Sequence, residues 1–222
     1  MNPWTLIVPS GGIGSRMATE RPKQYLEIGQ QPIILHTLMA LDLYFDSPQF
    51  IVALETPWME FLTDHLAGLD LQHRCRLVEG GKERYNSVKN ALQHVTTPLV
   101  GVHDAVRPFV SQETVNRIKT AITTNDAVIP VVPLRDSLRK RFSEASVAVQ
   151  RSEFMSVQTP QCFRSKVLEK AYLLEFDASI TDDASLVERD GIAIYSVQGN
   201  EENIKITTPL DFILAQHLIS QR

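Results

Sequence analysis

Across the first 132 residues of this 222-residue chain, short apolar runs alternate with amphipathic stretches about five times. No other feature constrains the fold as strongly. Residues 5–9 (TLIVP), 50–54 (FIVAL), 98–103 (PLVGVH) and 127–132 (AVIPVV) are nearly continuous apolar runs, with a shorter one at 76–78. Such runs suit strands buried on both faces. Between them, residues 33–45, 57–66, 83–94 and 111–123 have helical patterning. Pro32 and Pro57 stand at helix starts, where a missing N–H costs little, and Ser111 is placed as an N-cap. The alternation predicts an α/β domain with a mostly parallel sheet flanked by helices. Right-handed crossovers in such a domain put ligand loops at the carboxyl ends of the strands. The Gly-rich and charged segments 10–16, 79–82 and 104–107 do follow strands.

The pattern changes after Pro133. Residues 133–151 carry many charges and no long apolar face, and 134–141 with 146–150 read as two arms of a protruding hairpin or as a solvated loop. Helices are expected at 165–175, 182–189 and 210–219, and a strand at 193–197. No repeat and no linker rich in Gly, Ser or Pro interrupts the chain, so one domain with an arm is the simplest organisation. A hydrophobic share of 43% is enough for a full core without staples, and a net charge of −4 argues against a nucleic-acid polymer as main partner. Cys75 and Cys162 are far apart and outside any Cys-x-x-Cys unit, so they read as buried free thiols. No basic region followed by an apolar stretch opens the chain and no run approaches a membrane span, so the expectation is a soluble cytoplasmic protein.

The chemistry lies in the loops. Pro9-Ser10-Gly11-Gly12-Ile13-Gly14-Ser15-Arg16-Met17 follows a buried strand. Its glycines allow backbone N–H groups to close around an anion, and Arg16 adds a fixed charge. It has no Gly-Lys-Ser/Thr ending, and Met17 stands where a dinucleotide fingerprint needs its third glycine. Lys23, after the stiff Pro22, is within reach of the same loop. In His103-Asp104-Ala105-Val106-Arg107-Pro108, Asp104 suits a magnesium ion and Arg107 a phosphate. An Asp104–Arg107 ion pair that simply closes the loop is the alternative, and His103 reads as structural. Lys205 lies in an alternating strand-like pattern facing away from Ile204 and Ile206, and Thr181 and the acids after it read as a helix start. Nothing resembles a Ser-His-Asp triad or a His-x-x-x-His metal site. Arg16, Lys23, Arg107, Lys205 and Arg151 form a cationic inventory suited to phosphoryl or nucleotidyl transfer, which needs positioning and charge neutralisation more than a covalent nucleophile.

Taken in order, these segments resemble the methylerythritol phosphate cytidylyltransferases of the non-mevalonate isoprenoid pathway. The matching pieces are residues 11–17, Pro22-Lys23-Gln24-Tyr25, Gly80-Gly81-Lys82-Glu83-Arg84 with Ser87-Val88, and 103–108. Thr159-Pro160-Gln161, Thr181-Asp182-Asp183-Ala184-Ser185 and Asn203-Ile204-Lys205 complete the set. The resemblance implies a Rossmann-like nucleotidyltransferase fold and in-line attack of the acceptor's phosphate on the α-phosphorus of CTP, with pyrophosphate leaving. It assigns transition-state charge to Arg16 and Lys23, and positioning of the acceptor phosphate to Arg151 and Lys205. Asp104 matches the magnesium-linked acid, and Arg107, Thr159 and Thr181 match acceptor-side positions. Pro9, Ser10, Gly11, Gly12, Gly14, Gly81, Lys82, Ser87 and Ala105 match the CTP side. The resemblance further implies a homodimer in which an arm, here about 134–151, brings Ser137 and Arg151 to the partner's substrate. Val106 departs from the alanine often found in the family and adds bulk beside Asp104.

Ribitol 5-phosphate cytidylyltransferases have very similar motifs, so the acceptor is less defined than the reaction. A nucleotide-binding regulatory module without turnover would be expected to lack Arg16 or Lys23, and both are present. Met17 disfavours an NAD-dependent dehydrogenase.

Overall fold

The computed structural model describes residues 2–12, 21–177 and 179–221. In chain order the strands are β1 (Trp4–Pro9), β2 (Glu27–Ile28), β3 (Gln31–Pro32), β4 (Gln49–Leu54), β5 (Cys75–Glu79), β6 (Leu99–Val102), β7 (Ala127–Pro133), β8 (Leu138–Phe142), β9 (Ala145–Val149), β10 (Met155–Val157), β11 (Gln161–Arg164) and β12 (Tyr195–Gln198). The helices are α1 (Ile33–Tyr44), α2 (Met59–Leu66), α3 (Arg84–Leu92), α4 (Gln112–Ala121), α5 (Ser165–Ala171), α6 (Asp183–Arg189) and α7 (Pro209–Ser220).

The main sheet runs β10-β7-β11-β6-β1-β4-β5, with β12 added to β7. The pairs β1–β4, β1–β6, β4–β5 and β7–β12 are parallel, while β11 is antiparallel to both β6 and β7, and β10 to β7. The expected mostly parallel α/β sheet is therefore present, with an antiparallel pair inserted. The sequence reading did not anticipate β10 or β11. Each is only three or four residues long, and each is a strand only through pairing with neighbours already in the sheet.

Alternating side chains of β1 explain the layers. Leu6 and Val8 pack with Leu35, Leu38 and Leu41 of α1, Leu62 and Leu66 of α2, and Val115 and Ile118 of α4. Ile7 faces the other way, towards Val88 and Ala91 of α3, Leu168 of α5 and Leu186 and Val187 of α6. A third cluster (Ile28, Ile33, Val106, Phe109, Ile206 and Ala215) seats α7 beside the loop after β6.

Several local expectations shift. Ser111 caps α4 by accepting from Thr114 N at 3.1 Å, as expected. Asp182, not Thr181, caps α6, accepting from Ser185 N at 2.9 Å. Lys205 lies in irregular backbone instead of a strand, although the alternation around it survives: Ile206 is buried and Lys205 exposed. The expected helix over 165–175 ends at Ala171, and the strand expected at 193–197 is observed as Tyr195–Gln198. Cys162 is buried and Cys75 only partly so, and both are free. Strands β8 and β9 form a separate hairpin, closed by a two-residue turn at Ser143–Glu144 with Ser143 at φ 49°. The hairpin falls within residues 134–151.

Candidate active site

Three loops meet above the carboxyl ends of β1, β5 and β6. Ser10 N donates to Ala53 O at 2.6 Å and Gly80 N to Leu54 O at 2.8 Å, so the loops after β1 and β5 both leave the sheet pinned to β4. Between them opens a cavity of about 410 Å³, the size of a small-ligand site. Pro9, Ser10, Gly11, Gly12 and Lys23 line one side; Gly81, Lys82, Arg84 and Ser87 another; and Asp104, Ala105, Val106 and Lys205 a third.

The Pro-Lys-Gln-Tyr segment serves as the seat of the Gly-rich loop. Pro22 leads into a short 3₁₀ turn at Lys23–Tyr25. The buried Gln24 donates from Nε2 to Ser10 O at 2.7 Å and Gly12 O at 3.2 Å, and Ser10 Oγ lies 3.2 Å from the Tyr25 hydroxyl. Tyr25 is itself stacked on Trp58, with ring centroids 4.4 Å apart. Lys23 is thereby carried to the cavity wall. Gly14 and Arg16 lie outside the described residues.

On the second side, Ser87 Oγ accepts from Gly81 N at 3.0 Å and donates to Glu83 O at 3.2 Å, and Glu83 with Asn86 forms a capping box on α3. A Cβ on residue 81 would stand 2.2 Å from Asn86 Cβ, so only glycine fits this turn.

Asp104 is the electrostatic centre. Its Oδ2 is 3.1 Å from Lys205 Nζ and 3.2 Å from Arg107 Nε, and its Oδ1 is 3.5 Å from Arg84 Nε. Burial by itself would raise its pKa, but Arg84, Lys205 and Arg107 together outweigh burial and hold it well below the ordinary carboxylate range. Arg84 is fixed from behind by Asp183, at 2.6 Å. Burial favours loss of its proton, but Asp183 and Asp104 outweigh that and keep the guanidinium charged.

The other expected residues fall around this centre. Arg107 does not line the cavity; it is bound to Asp104 and donates to Asn203 O at 2.7 Å, so of the two readings the ion pair is the one formed. Thr159 lies behind the loop: its Oγ1 accepts from Asp104 N at 3.1 Å and is 3.2 Å from His103 Nδ1. His103 Nε2 bonds Arg107 O at 2.9 Å, and burial pushes its pKa down to about 4, so it is a neutral structural group as expected. Val106 is 5% exposed and sends most of its bulk into the third cluster. Thr181 borders a separate recess of about 100 Å³ that shares Glu83 and Arg84 with the main cavity. Ser137 and Arg151 are exposed on the arm and line neither recess of their own chain; Arg151 bonds Arg135 O.

Gln24, Tyr25, Arg84 and Asp183 were not singled out from sequence. Only their places inside the Pro-Lys-Gln-Tyr, Gly-Gly-Lys-Glu-Arg and Thr-Asp-Asp segments hinted at them.

The sequence profile described as 2-C-methyl-D-erythritol 4-phosphate cytidylyltransferase matches residues 4–221. The chain belongs to this family. It is 41% identical over 220 residues to the enzyme of that name from Bacteroides fragilis, covering 97% of this chain and 99% of the relative. With the one from Syntrophus aciditrophicus it is 37% identical over 222 residues, covering 97% and 95%. Among solved structures, the 4-diphosphocytidyl-2C-methyl-D-erythritol synthase from Anaerococcus prevotii aligns with a TM-score of 0.84 at 27% identity, over 99% of this chain and 98% of that one. The Thermus thermophilus cytidylyltransferase aligns at 0.77 and 32% identity, over 96% and 98%. Membership in this cytidylyltransferase family makes the chain a nucleotidyltransferase, and the cavity has the matching character: backbone loops and cations converge on a space of nucleotide scale.

The resemblance implies a divalent ion, and the donor set fits one only in a limited sense. Among the described residues no group of three or more His, Cys, Asp and Glu comes together. Asp104 is one hard oxygen ligand, already shared by three cations. That suits Mg²⁺ arriving with the triphosphate and keeping phosphate and water ligands.

Proposed function

We propose that this chain transfers CMP from CTP to 2-C-methyl-D-erythritol 4-phosphate, giving 4-diphosphocytidyl-2-C-methyl-D-erythritol and pyrophosphate. The observation that carries this reading is the convergence of Lys23, Arg84 and Lys205 with Asp104 and two backbone-rich loops on one cavity, in a chain that matches the family from residue 4 to 221. The loop at Ser10–Gly12 receives the triphosphate, with Lys23 and Arg16 meeting charge as the α–β bond breaks. Gly81, Lys82 and Ser87 take the cytidine side. Lys205 brings the acceptor phosphate into line, and Arg107 and Thr159 hold Asp104 steady. Mg²⁺, with Asp104 as its protein ligand, would supply further charge neutralisation on the phosphates. No covalent enzyme intermediate is required.

The working unit in this reading is a cytoplasmic homodimer of single-domain subunits, each with an arm over about 134–151. The exposed apolar side chains Phe142, Val147, Phe154 and Met155 on and beside the arm support a protein partner there. Ser137 and Arg151, which line neither the main cavity nor the smaller recess of their own subunit, then serve the partner's acceptor. Among the described residues no helix is long and apolar enough to cross a membrane.

The test is pyrophosphate release from purified protein with Mg²⁺, CTP and either methylerythritol phosphate or ribitol 5-phosphate. Release with the first is expected. Release with ribitol 5-phosphate alone would overturn the assigned acceptor while leaving the reaction class intact.

A further inference from the structure

Asp183 is a carboxylate with no solvent exposure at the edge of the site, and it touches no part of the main cavity. Its Oδ2 accepts from Arg84 Nη2 at 2.6 Å and its Oδ1 from the Tyr172 hydroxyl at 2.6 Å. Tyr172 is locked in turn. Its ring stacks on Tyr85 at 4.8 Å, and the Tyr85 hydroxyl donates to Tyr172 O at 3.2 Å and Leu174 O at 2.7 Å. Complete burial of a carboxylate is costly unless every oxygen is partnered. Capping of α6 does not account for it, because Asp182 already provides the cap.

What the arrangement delivers is Arg84. Its guanidinium lies between two carboxylates, bonded to Asp183 and facing Asp104 at 3.5 Å. It also lines both the main cavity and the smaller recess bordered by Thr181, Phe176 and Ile180. An unanchored arginine here would be drawn onto Asp104, which Arg107 and Lys205 already neutralise. Asp183 keeps Arg84 at the boundary of the two recesses, with its donors presented to a ligand that spans them.

We propose that Arg84 is a further acceptor-contacting residue, and that the buried Asp183 is its positioning residue. The ligand class is a small polyol monophosphate, held across the boundary by the guanidinium fork. This inference rests on the reaction proposed above.

The experiment measures steady-state pyrophosphate release, with CTP and methylerythritol phosphate varied separately, alongside melting temperature and CTP binding by calorimetry. Arg84→Gln should raise the acceptor KM by about tenfold or more, as expected for loss of a charge-assisted hydrogen bond. The CTP KM and CTP affinity should stay within about twofold. Arg84→Lys should recover part of the loss. Asp183→Asn should move the acceptor KM in the same direction by a smaller factor, and should add nothing on top of Arg84→Gln, since both act through one contact. Equal losses for CTP and acceptor, or additive effects in the double variant, would overturn the proposal. If Asp183→Asn loses its cooperative melting, Tyr172→Phe decides instead: a rise of about two- to threefold in acceptor KM supports positioning, and an unchanged KM overturns it. A wild-type protein that releases no pyrophosphate overturns the proposed reaction and this inference together. An active wild type whose Arg84→Gln variant is indifferent to acceptor overturns the inference alone.

Discussion

The floor of the cavity and the β8–β9 arm solve opposite problems. In the floor, the carboxylates of Asp104 and Asp183 are buried and are answered inside the subunit. Asp104 meets Arg84, Arg107 and Lys205, Arg84 meets Asp183, and His103 is held between Thr159 and Arg107 O. In the arm, the charges are wet and the apolar groups are left over. Among the described residues, strands β8 and β9 pair only with each other, Phe142 and Val147 are about half exposed, and Arg139 merely crosses the hairpin to Ser146. Burial of charge without mutual pairing is costly, and so is apolar surface without a partner. The floor is thus finished within one chain, whereas the arm leaves apolar surface that the proposed partner subunit would cover.

The largest expected effect tests whether the floor is closed to water. Burial lowers His103 from an ordinary 6.5 to about 4. A depressed histidine contributes its stability in full above about pH 6.5 and loses it as pH falls towards 4, because the unfolded chain takes up the proton first. The contribution at stake is about 3 kcal/mol over that window. Urea unfolding at stepped pH should show a steep loss of stability between those limits, flattened in His103→Asn; a flat wild-type profile would mean that the floor is open to solvent.

Next in size is the cavity wall itself. Lys23→Ala and Arg16→Ala should each lower kcat by about two orders of magnitude, the scale of a lost pre-placed charge. Single-turnover rates that match wild type would remove both from the chemical step.

Arg151→Ala sharpens the contrast, because it alters the arm but is expected to act on a neighbour's site. It should raise the acceptor KM by about tenfold, with little change for CTP. Mixing inactive Arg16→Ala and Arg151→Ala subunits should restore part of the activity, since one site of each mixed dimer is then whole. Verified mixed dimers that show no recovery would count against action across subunits.

The smallest effect is on stability at the arm. Phe142→Ser should leave the fold of the subunit within about 0.5 kcal/mol, as for other exposed positions, while weakening self-association in sedimentation. A melting temperature that collapses would show that the arm is part of the subunit's own core.

The buried parallel strands were legible in sequence because burial on both faces writes itself as continuous apolar runs, as in β1, β4, β6 and β7. So were the glycine turns and Asp104, which follow those strands directly. Strands β10 and β11 were not legible, for they are short and become strands only because β6 and β7 leave edges for them. Which residue caps α6 was not legible, since Thr181 and Asp182 are both good caps and only local backbone chooses Asp182.

Sequence alone determined the alternating strand–helix order, the position of ligand loops after strands, and the cationic inventory for a polyanionic substrate. Those properties depend on residues close together in the chain, where periodicity and turn chemistry act. Only the tertiary structure decided that Arg107 turns back onto Asp104, that Thr159 sits behind the loop, and that Asp183 reaches Arg84 across the start of α3. Thr159 with Asp104, and Asp183 with Arg84, are pairings between elements far apart in sequence. Their partners are chosen by which groups are desolvated together, and one-dimensional order does not carry that information.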